Sequence, residues 1–313
     1  MHFKQDIAQA IDSKIITPTP IQPIMHSEFE CNNITCFIKR DDMINPLLSG
    51  NKWRKLKYNI ELAKQENKKT ILSFGGAFSN HLHAVAGAGK LFNINTIGII
   101  RGEYDPQNPN NIFLNKMGVK CIYVDRQTYR KRNDTEYLNQ LAIKHQAFVI
   151  PEGGYSSAAM QGIVELTQEL AEFDYDYIVC AVGSGTTIAG LANYNPKKAQ
   201  VIGIAAFDKA KYLNNNINEL QLKFSNKIEP YQLIVDEEVG KFGSVSPAIS
   251  EFTREFVLKT NIPIEPIYTG KVLYVLKKLI QNKSIKANSR VLVIHTGGLQ
   301  GLSGLEYRKI FKL

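Results

Sequence analysis

From about residue 70 onward, short continuous apolar runs alternate with amphipathic ones, and this alternation restricts the fold more than any other feature. Runs at 70–74, 96–101, 119–124, 147–150, 177–182, 201–207 and 290–294 read as strands. Helical periodicity occupies 79–92, 135–145, 157–173, 187–194, 247–259 and 270–280. Strands that are apolar throughout, rather than alternating, belong in parallel sheets covered by helices on both faces. The expected class is therefore α/β. At 313 residues the chain exceeds what one small core needs. No linker divides it, so two domains are expected to interleave rather than follow one another. The Asn-rich stretch 212–226 reads as an exposed excursion.

Charge and cysteine usage remove several classes of function. The net charge of +9 invites a nucleic-acid reading, but the lysines are spread along the whole chain. No RNP-like strand, zinc-finger spacing or basic arm accompanies them, so no nucleic-acid partner is expected. Small anions such as phosphates and carboxylates suit a basic protein with concave sites better. No apolar stretch approaches a membrane span, and the start Met1-His2-Phe3-Lys4-Gln5-Asp6 lacks a signal core. Cys31, Cys36, Cys121 and Cys180 form no CxxC pair. Cys121 and Cys180 sit in strand-like runs where an inert buried thiol is the default, which makes a cytoplasmic location the expectation. No HExxH or acidic triad suggests a metal, and His81 and His83, two apart on a helix, point away from each other.

Ligands in open parallel sheets bind at the carboxyl ends of strands. Here those loops are Gly75-Gly76-Ala77-Phe78-Ser79-Asn80-His81, Gly183-Ser184-Gly185-Thr186-Thr187 and His295-Thr296-Gly297-Gly298. The glycines of the second loop free the backbone to turn N–H groups inward. Thr186 and Thr187 add hydroxyls, and the helix that follows presents its positive end. That combination is a phosphate cradle; a plain glycine-rich turn is the alternative. Ile188 occupies the third glycine position of GxGxxG, and Gly89-Lys90 lacks the rest of a P-loop, which disfavours nicotinamide and P-loop chemistry. Ser79 and Asn80 are both good N-caps, but only one residue can be the cap. A hydroxyl beside an amide suits a carboxylate or a ring hydroxyl.

Lys52, in Ser49-Gly50-Asn51-Lys52-Trp53-Arg54-Lys55-Leu56, stands where a helix should begin, near residue 50 or 51. The first turns carry Lys52, Arg54, Lys55 and Lys57, all opposed by the positive end of the helix dipole. This run is either a solvated basic face or a site. Crowded positive charge lowers a lysine's pKa, and a neutral amine attacks carbonyl groups. A lysine amine, a phosphate cradle and a hydroxyl/amide loop together call for pyridoxal 5'-phosphate, whose aldehyde bonds to lysine and whose phosphate needs such a cradle.

Five runs in one order carry a resemblance over roughly residues 15 to 313. They are the Gly50–Leu56 run, Ser79-Asn80-His81, Gly183-Ser184-Gly185-Thr186-Thr187, Pro266-Ile267-Tyr268-Thr269-Gly270-Lys271 and His295-Thr296-Gly297-Gly298. Together they resemble the 1-aminocyclopropane-1-carboxylate deaminase / D-cysteine desulfhydrase family. The resemblance implies the tryptophan-synthase-β-like fold (pyridoxal-phosphate fold type II): two interleaved open twisted mostly parallel sheets flanked by helices. It implies a large cofactor domain of residues 1–52 and 156–313, a small inserted domain of residues 53–155, and a homodimer. It implies that Lys52 holds the cofactor and moves protons, that Ser79 lies near the substrate carboxylate as a catalytic residue assisting proton transfer or nucleophilic attack, and that Asn80 contacts the ring hydroxyl. Gly183, Ser184, Gly185, Thr186 and Thr187 would hold the phosphate, Tyr268 would lie over the substrate, and Thr269 would face the pyridine nitrogen.

Within that family the cyclopropane deaminases carry Glu where this chain has Thr269 and Gln where it has His81. A hydroxyl at the pyridine nitrogen makes a weaker electron sink than a carboxylate, which favours a substrate with a better leaving group. β-Elimination of sulfide from D-cysteine is such a reaction. The family's second active-site tyrosine falls at Phe242, and His83 stands where the family commonly has Arg; the loss of a hydroxyl at Phe242 weighs most against ring opening. Ring-opening deamination, a racemase and a non-catalytic cofactor-binding homologue are the alternatives.

Overall fold

Two sheets account for the strand–helix alternation, and the computed structural model describes them over residues 14–313. Residues 1–13, which include the stretch read for a signal core and the start of the expected 1–52 segment, lie outside the described residues. In chain order the strands are β1 (Ile21–Pro23), β2 (Thr35–Lys39), β3 (Thr70–Gly76), β4 (Asn95–Arg101) and β5 (Lys120–Val124). They continue with β6 (Phe148–Val149), β7 (Tyr177–Val182), β8 (Gln200–Ala205), β9 (Gln232–Ile234) and β10 (Arg290–Ile294). The larger sheet runs β1-β2-β10-β7-β8-β9 and is parallel except for the antiparallel edge pair of β1 with β2. Pro23, which has no N–H to donate, ends that edge strand. The smaller sheet runs β5-β4-β3-β6 and is parallel throughout. Its strands lie in the chain between β2 and β7, so the two sheets interleave.

The helices are α1 (Asn51–Gln65), α2 (Asn80–Phe92), α3 (Pro109–Lys116), α4 (Arg126–Arg130), α5 (Thr135–His145) and α6 (Ser157–Glu169). Then follow α7 (Thr186–Asn193), α8 (Leu213–Ser225), α9 (Pro247–Thr260), α10 (Thr269–Gln281) and α11 (Leu302–Tyr307). β7 shows why its run is continuously apolar. Val179 packs with Ile204 and Val293 in one core, while Ile178 and Cys180 pack with Leu292 in another on the opposite face. Each such fully buried aliphatic side chain contributes about 1.5–3 kcal/mol. Cys180 is buried as expected and burial pushes its thiol up to about 12; Cys121 is half-buried. No helix among the described residues is long and apolar enough to cross a membrane.

One expectation fails outright. The Asn-rich stretch 212–226 is not an excursion but the helix α8. Leu213, Ile217 and Leu220, spaced i, i+4, i+7, are buried, and the intervening asparagines hide that period. β1 and β9, three residues each, are too short to show a period, and β2 lies upstream of the clear alternation.

Candidate active site

Helix α1 starts where the chain must make an unusual turn. Gly50 has φ +69°, and a Cβ built on it would lie 2.0 Å from the Thr296 carbonyl oxygen. Only glycine permits this approach. Asn51 N–H donates to the same oxygen at 3.3 Å, so the start of α1 is fastened to the loop after β10. From there Asn51 reaches two ways. Its Nδ2 donates to Thr187 Oγ1 at 3.0 Å, and its Oδ1 accepts from Lys52 Nζ at 2.7 Å. Three of the runs singled out in the sequence thus meet at Lys52.

The basic run around Lys52 is not a solvated face. Arg54 is buried and bonds Asp41 through Nε at 2.7 Å and Nη2 at 2.8 Å, and Glu169 through Nη1 and Nη2 at 3.0 Å. Lys57 pairs with Glu165. The Lys52 amine is lowered to about 8, and the main cause is burial rather than the expected crowding of charge; Glu265 pulls the other way. Lys55, one helical turn further, is lowered to about 7 by burial and then by the charge of Lys52.

Lys55 was not singled out in the sequence, although its i+3 spacing from Lys52 puts both on one helix face. Its Nζ donates to Ser184 Oγ at 3.2 Å and lies 3.5 Å from the Gly153 carbonyl oxygen. Ser184 Oγ and Thr186 Oγ1 are 3.3 Å apart. Gly185 has φ +93° and no side chain caps the start of α7. A Cβ on Gly185 would meet Ile217 of α8 at 2.8 Å, so helix α8 is the wall behind this loop. Gly183 completes it: a Cβ there would lie 3.4 Å from Tyr268 Cε1. Uncapped helix N–H groups, two hydroxyls and a buried lysine form an anion site.

Ser79 is the N-cap of α2, accepting Leu82 N–H at 3.2 Å, and Asn80 is the first helical residue. Capping therefore accounts for the Ser79 oxygen but leaves its proton to donate. Asn80 lies against the opposite loop, its amide within 3.4 Å of where Cβ atoms on Gly298 and Gly301 would stand. His81 and His83 diverge as expected. Ser73 Oγ donates to the Ile150 carbonyl oxygen at 2.7 Å, so at 2.8 Å His81 Nε2 is the donor to Ser73. Burial, reinforced by Lys52 and Lys55, holds the His81 ring down to about 3. His83 stacks on Phe113 at 3.6 Å.

Across the cleft, Tyr268 and Thr269 open helix α10. Thr269 is 1% exposed, and its Oγ1 has no partner among the described residues. Burial, and then the charge of Glu265, pushes the Tyr268 phenol well above its ordinary range. Phe242 stands at the rim, 62% exposed, with its ring 6.3 Å from Tyr268 and 5.7 Å from Phe207. Glu265, one residue before the run beginning at Pro266, is the second site residue that sequence reasoning missed; it is buried and accepts N–H bonds from Ile267, Tyr268 and Thr269.

A half-buried lysine with a lowered amine, an anion loop and an unpartnered hydroxyl around one cleft agree with what known proteins show. A family model described as pyridoxal-phosphate dependent enzyme matches residues 13–297. The chain belongs to the pyridoxal-phosphate-dependent enzymes. Similar members include a putative 1-aminocyclopropane-1-carboxylate deaminase of Pyrococcus horikoshii, 29% identical over 298 residues, 90% of each chain. A bifunctional D-cysteine desulfhydrase/1-aminocyclopropane-1-carboxylate deaminase, mitochondrial, of Arabidopsis thaliana is 28% identical over 87% of this chain and 74% of its own. Among solved structures, an ACC deaminase homologue superposes with a TM-score of 0.84 at 26% identity, covering 95% of this chain and 94% of that one. The residues of this pyridoxal-phosphate-dependent enzyme fit the cofactor. The lowered Lys52 amine suits its aldehyde, the uncapped start of α7 suits its phosphate, and the orphaned Thr269 hydroxyl suits its ring nitrogen.

Proposed function

We propose that this enzyme is a lyase that releases ammonia and a 2-keto acid from a small α-amino acid, with β-elimination from D-cysteine as its reaction. The balance is D-cysteine plus water giving hydrogen sulfide, pyruvate and ammonia. The observation that carries the choice is Thr269. Its buried hydroxyl, unpartnered among the described residues, supplies a neutral hydrogen bond where ring opening calls for a carboxylate. When bound, the cofactor withdraws electrons from the substrate's α-carbon.

The chain's own residues then divide the remaining work. Lys52 carries the cofactor and accepts the α-proton on Nζ, an atom that burial already inclines to be neutral. Lys55 and the 183–187 loop hold the phosphate. Asn80 contacts the ring hydroxyl, and Ser79 donates its hydroxyl proton to the substrate carboxylate. Tyr268, kept protonated by burial, covers the substrate and excludes water. Phe242 lies beside Tyr268 without a hydroxyl of its own, which weighs against ring-opening deamination. The division into residues 1–52 and 156–313 with an inserted 53–155 rests on the interleaving of the two sheets; a homodimer and a cytoplasmic location rest on the family resemblance and on the free cysteines.

The test is a panel of D-cysteine, L-cysteine, D-serine and 1-aminocyclopropane-1-carboxylate, assayed for pyruvate, 2-oxobutanoate and sulfide. Sulfide and pyruvate in equal amounts from D-cysteine are expected. Keto acid from the cyclopropane substrate alone would favour the ring-opening alternative. Bound cofactor with no product from any substrate would favour the non-catalytic one.

A further inference from the structure

Glu265 is 1% exposed, and a carboxylate so placed is expensive unless its charge and lone pairs are used. Both of its oxygens are. Oε2 accepts Ile267 N–H at 2.7 Å, Oε1 accepts Thr269 N–H at 2.8 Å, and Tyr268 N–H reaches both, at 3.0 and 3.1 Å. Its main-chain oxygen takes Gly270 N–H at 2.8 Å. The N-cap of α10 is Tyr268, with φ −120° and ψ −72°, and it offers no side-chain cap. Glu265 satisfies those orphan donors from three residues upstream. An ordinary Ser or Asp at the cap would do as much at a surface, without a buried charge.

The rest of its surroundings point into the cleft. Gly298, at φ +101°, passes so close that a Cβ there would stand 3.3 Å from Glu265 Cγ. The preceding residue, Gly297, would place a Cβ 2.9 Å from Gly50 Cα at the start of α1, so one loop joins the carboxylate to the helix that carries Lys52, and Lys52 and Lys271 are the cations its charge acts on. Lys271 is already engaged, donating from Nζ to the Ala206 carbonyl oxygen at 2.8 Å and also facing Asp208. The third neighbour is the Tyr268 phenol, which Glu152 faces as well.

We propose that Glu265 is a positioning residue of the active site: it fixes the backbone of Tyr268 and Thr269 and holds a buried carboxylate across the 297–298 loop from the helix start that carries Lys52. The inference rests on Lys52 being the cofactor lysine. Burial raises Glu265 itself to about 7, against the pull of its three N–H donors and Lys271. Lys52, for its part, is drawn toward its ammonium form by the charge of Glu265.

The test uses the cofactor-free protein. Trace acetylation of amines across a pH series, read by mass spectrometry on the peptide containing Lys52, gives the titration midpoint of that lysine. Glu265→Gln is expected to lower the midpoint by about half a pH unit or more, since it removes an attracting charge. A folded Glu265→Gln protein with an unchanged midpoint would reduce Glu265 to a helix cap and overturn the proposal. Glu265→Asp covers the case in which Glu265→Gln does not fold. It keeps the charge and withdraws it by one methylene, so amide hydrogen exchange at residues 267–269 should accelerate about tenfold. Exchange at the wild-type rate contradicts the proposal. Neither readout involves cofactor or substrate, so a wrong substrate assignment leaves both intact, and cofactor bonded elsewhere than Lys52 shows up separately in Lys52→Ala.

Discussion

Lys52 and Lys55 lie one helical turn apart and meet different partners. Lys52 Nζ bonds the Asn51 amide oxygen, while Lys55 Nζ bonds a hydroxyl of the anion loop. Both are lowered, to about 8 and about 7, chiefly by burial. Only the neutral amine attacks a carbonyl, so cofactor loading should quicken about tenfold between pH 7 and pH 9 as Lys52 loses its proton. Stopped-flow absorbance on the cofactor-free protein checks this; a flat profile across that range would contradict it. Lys55→Met should instead weaken cofactor binding about 10- to 100-fold, the worth of one hydrogen bond from a charged donor, while leaving the covalent linkage intact. Equilibrium dialysis separates the two effects. Linkage adds a stability consequence. Between about pH 7 and 10.5 the unfolded chain binds more protons at these two lysines than the folded chain does, so they make the stability of the cofactor-free protein rise with pH. Urea unfolding should show a flatter rise in the Lys52→Met, Lys55→Met double variant.

Helix α1 presents Lys52 only because it is held at both its start and its flank. Asp41 receives Arg54 in a bidentate pair and Thr19 Oγ1 at 2.7 Å, and Glu169 of α6 receives Arg54 together with Lys39. Arg54→Ala strands Asp41 in the core without its cation and should cost about 3–5 kcal/mol in denaturant unfolding. Where α1 crosses α6, a Cβ on Gly162 would lie 1.8 Å from the Arg54 carbonyl oxygen. Gly162→Ala must therefore push the helices apart, at about 1–3 kcal/mol, and move Lys52 with them. Loss of turnover greater than loss of stability is the expected signature. Elements of this kind were partly legible from sequence. β7 and β10 keep their expected bounds because buried parallel strands are continuously apolar. α8 was not legible, because its asparagines masked a three-residue apolar stripe. Lys55 meets Ser184, more than a hundred positions away, and Glu265 caps its own helix locally but comes beside the start of α1 only through the distant 297–298 loop.

At the scale of the whole molecule, the cleft is assembled from segments that the chain order keeps apart. Gly50 meets Thr296, Asn51 meets Thr187, Gly183 meets Tyr268, and Asn80 meets Gly298. The five runs could be read because loops at strand ends must be polar and glycine-rich to bind anything; which surfaces they share follows only from the sheet order. The central question is which amine in this crowded cleft holds the cofactor. Reduction of the purified holoenzyme with borohydride, followed by peptide mass spectrometry, answers that directly. The reduced cofactor is predicted on Lys52 in stoichiometric amount, with Lys55 unmodified. Label on Lys55, or on no lysine of α1, would contradict the account.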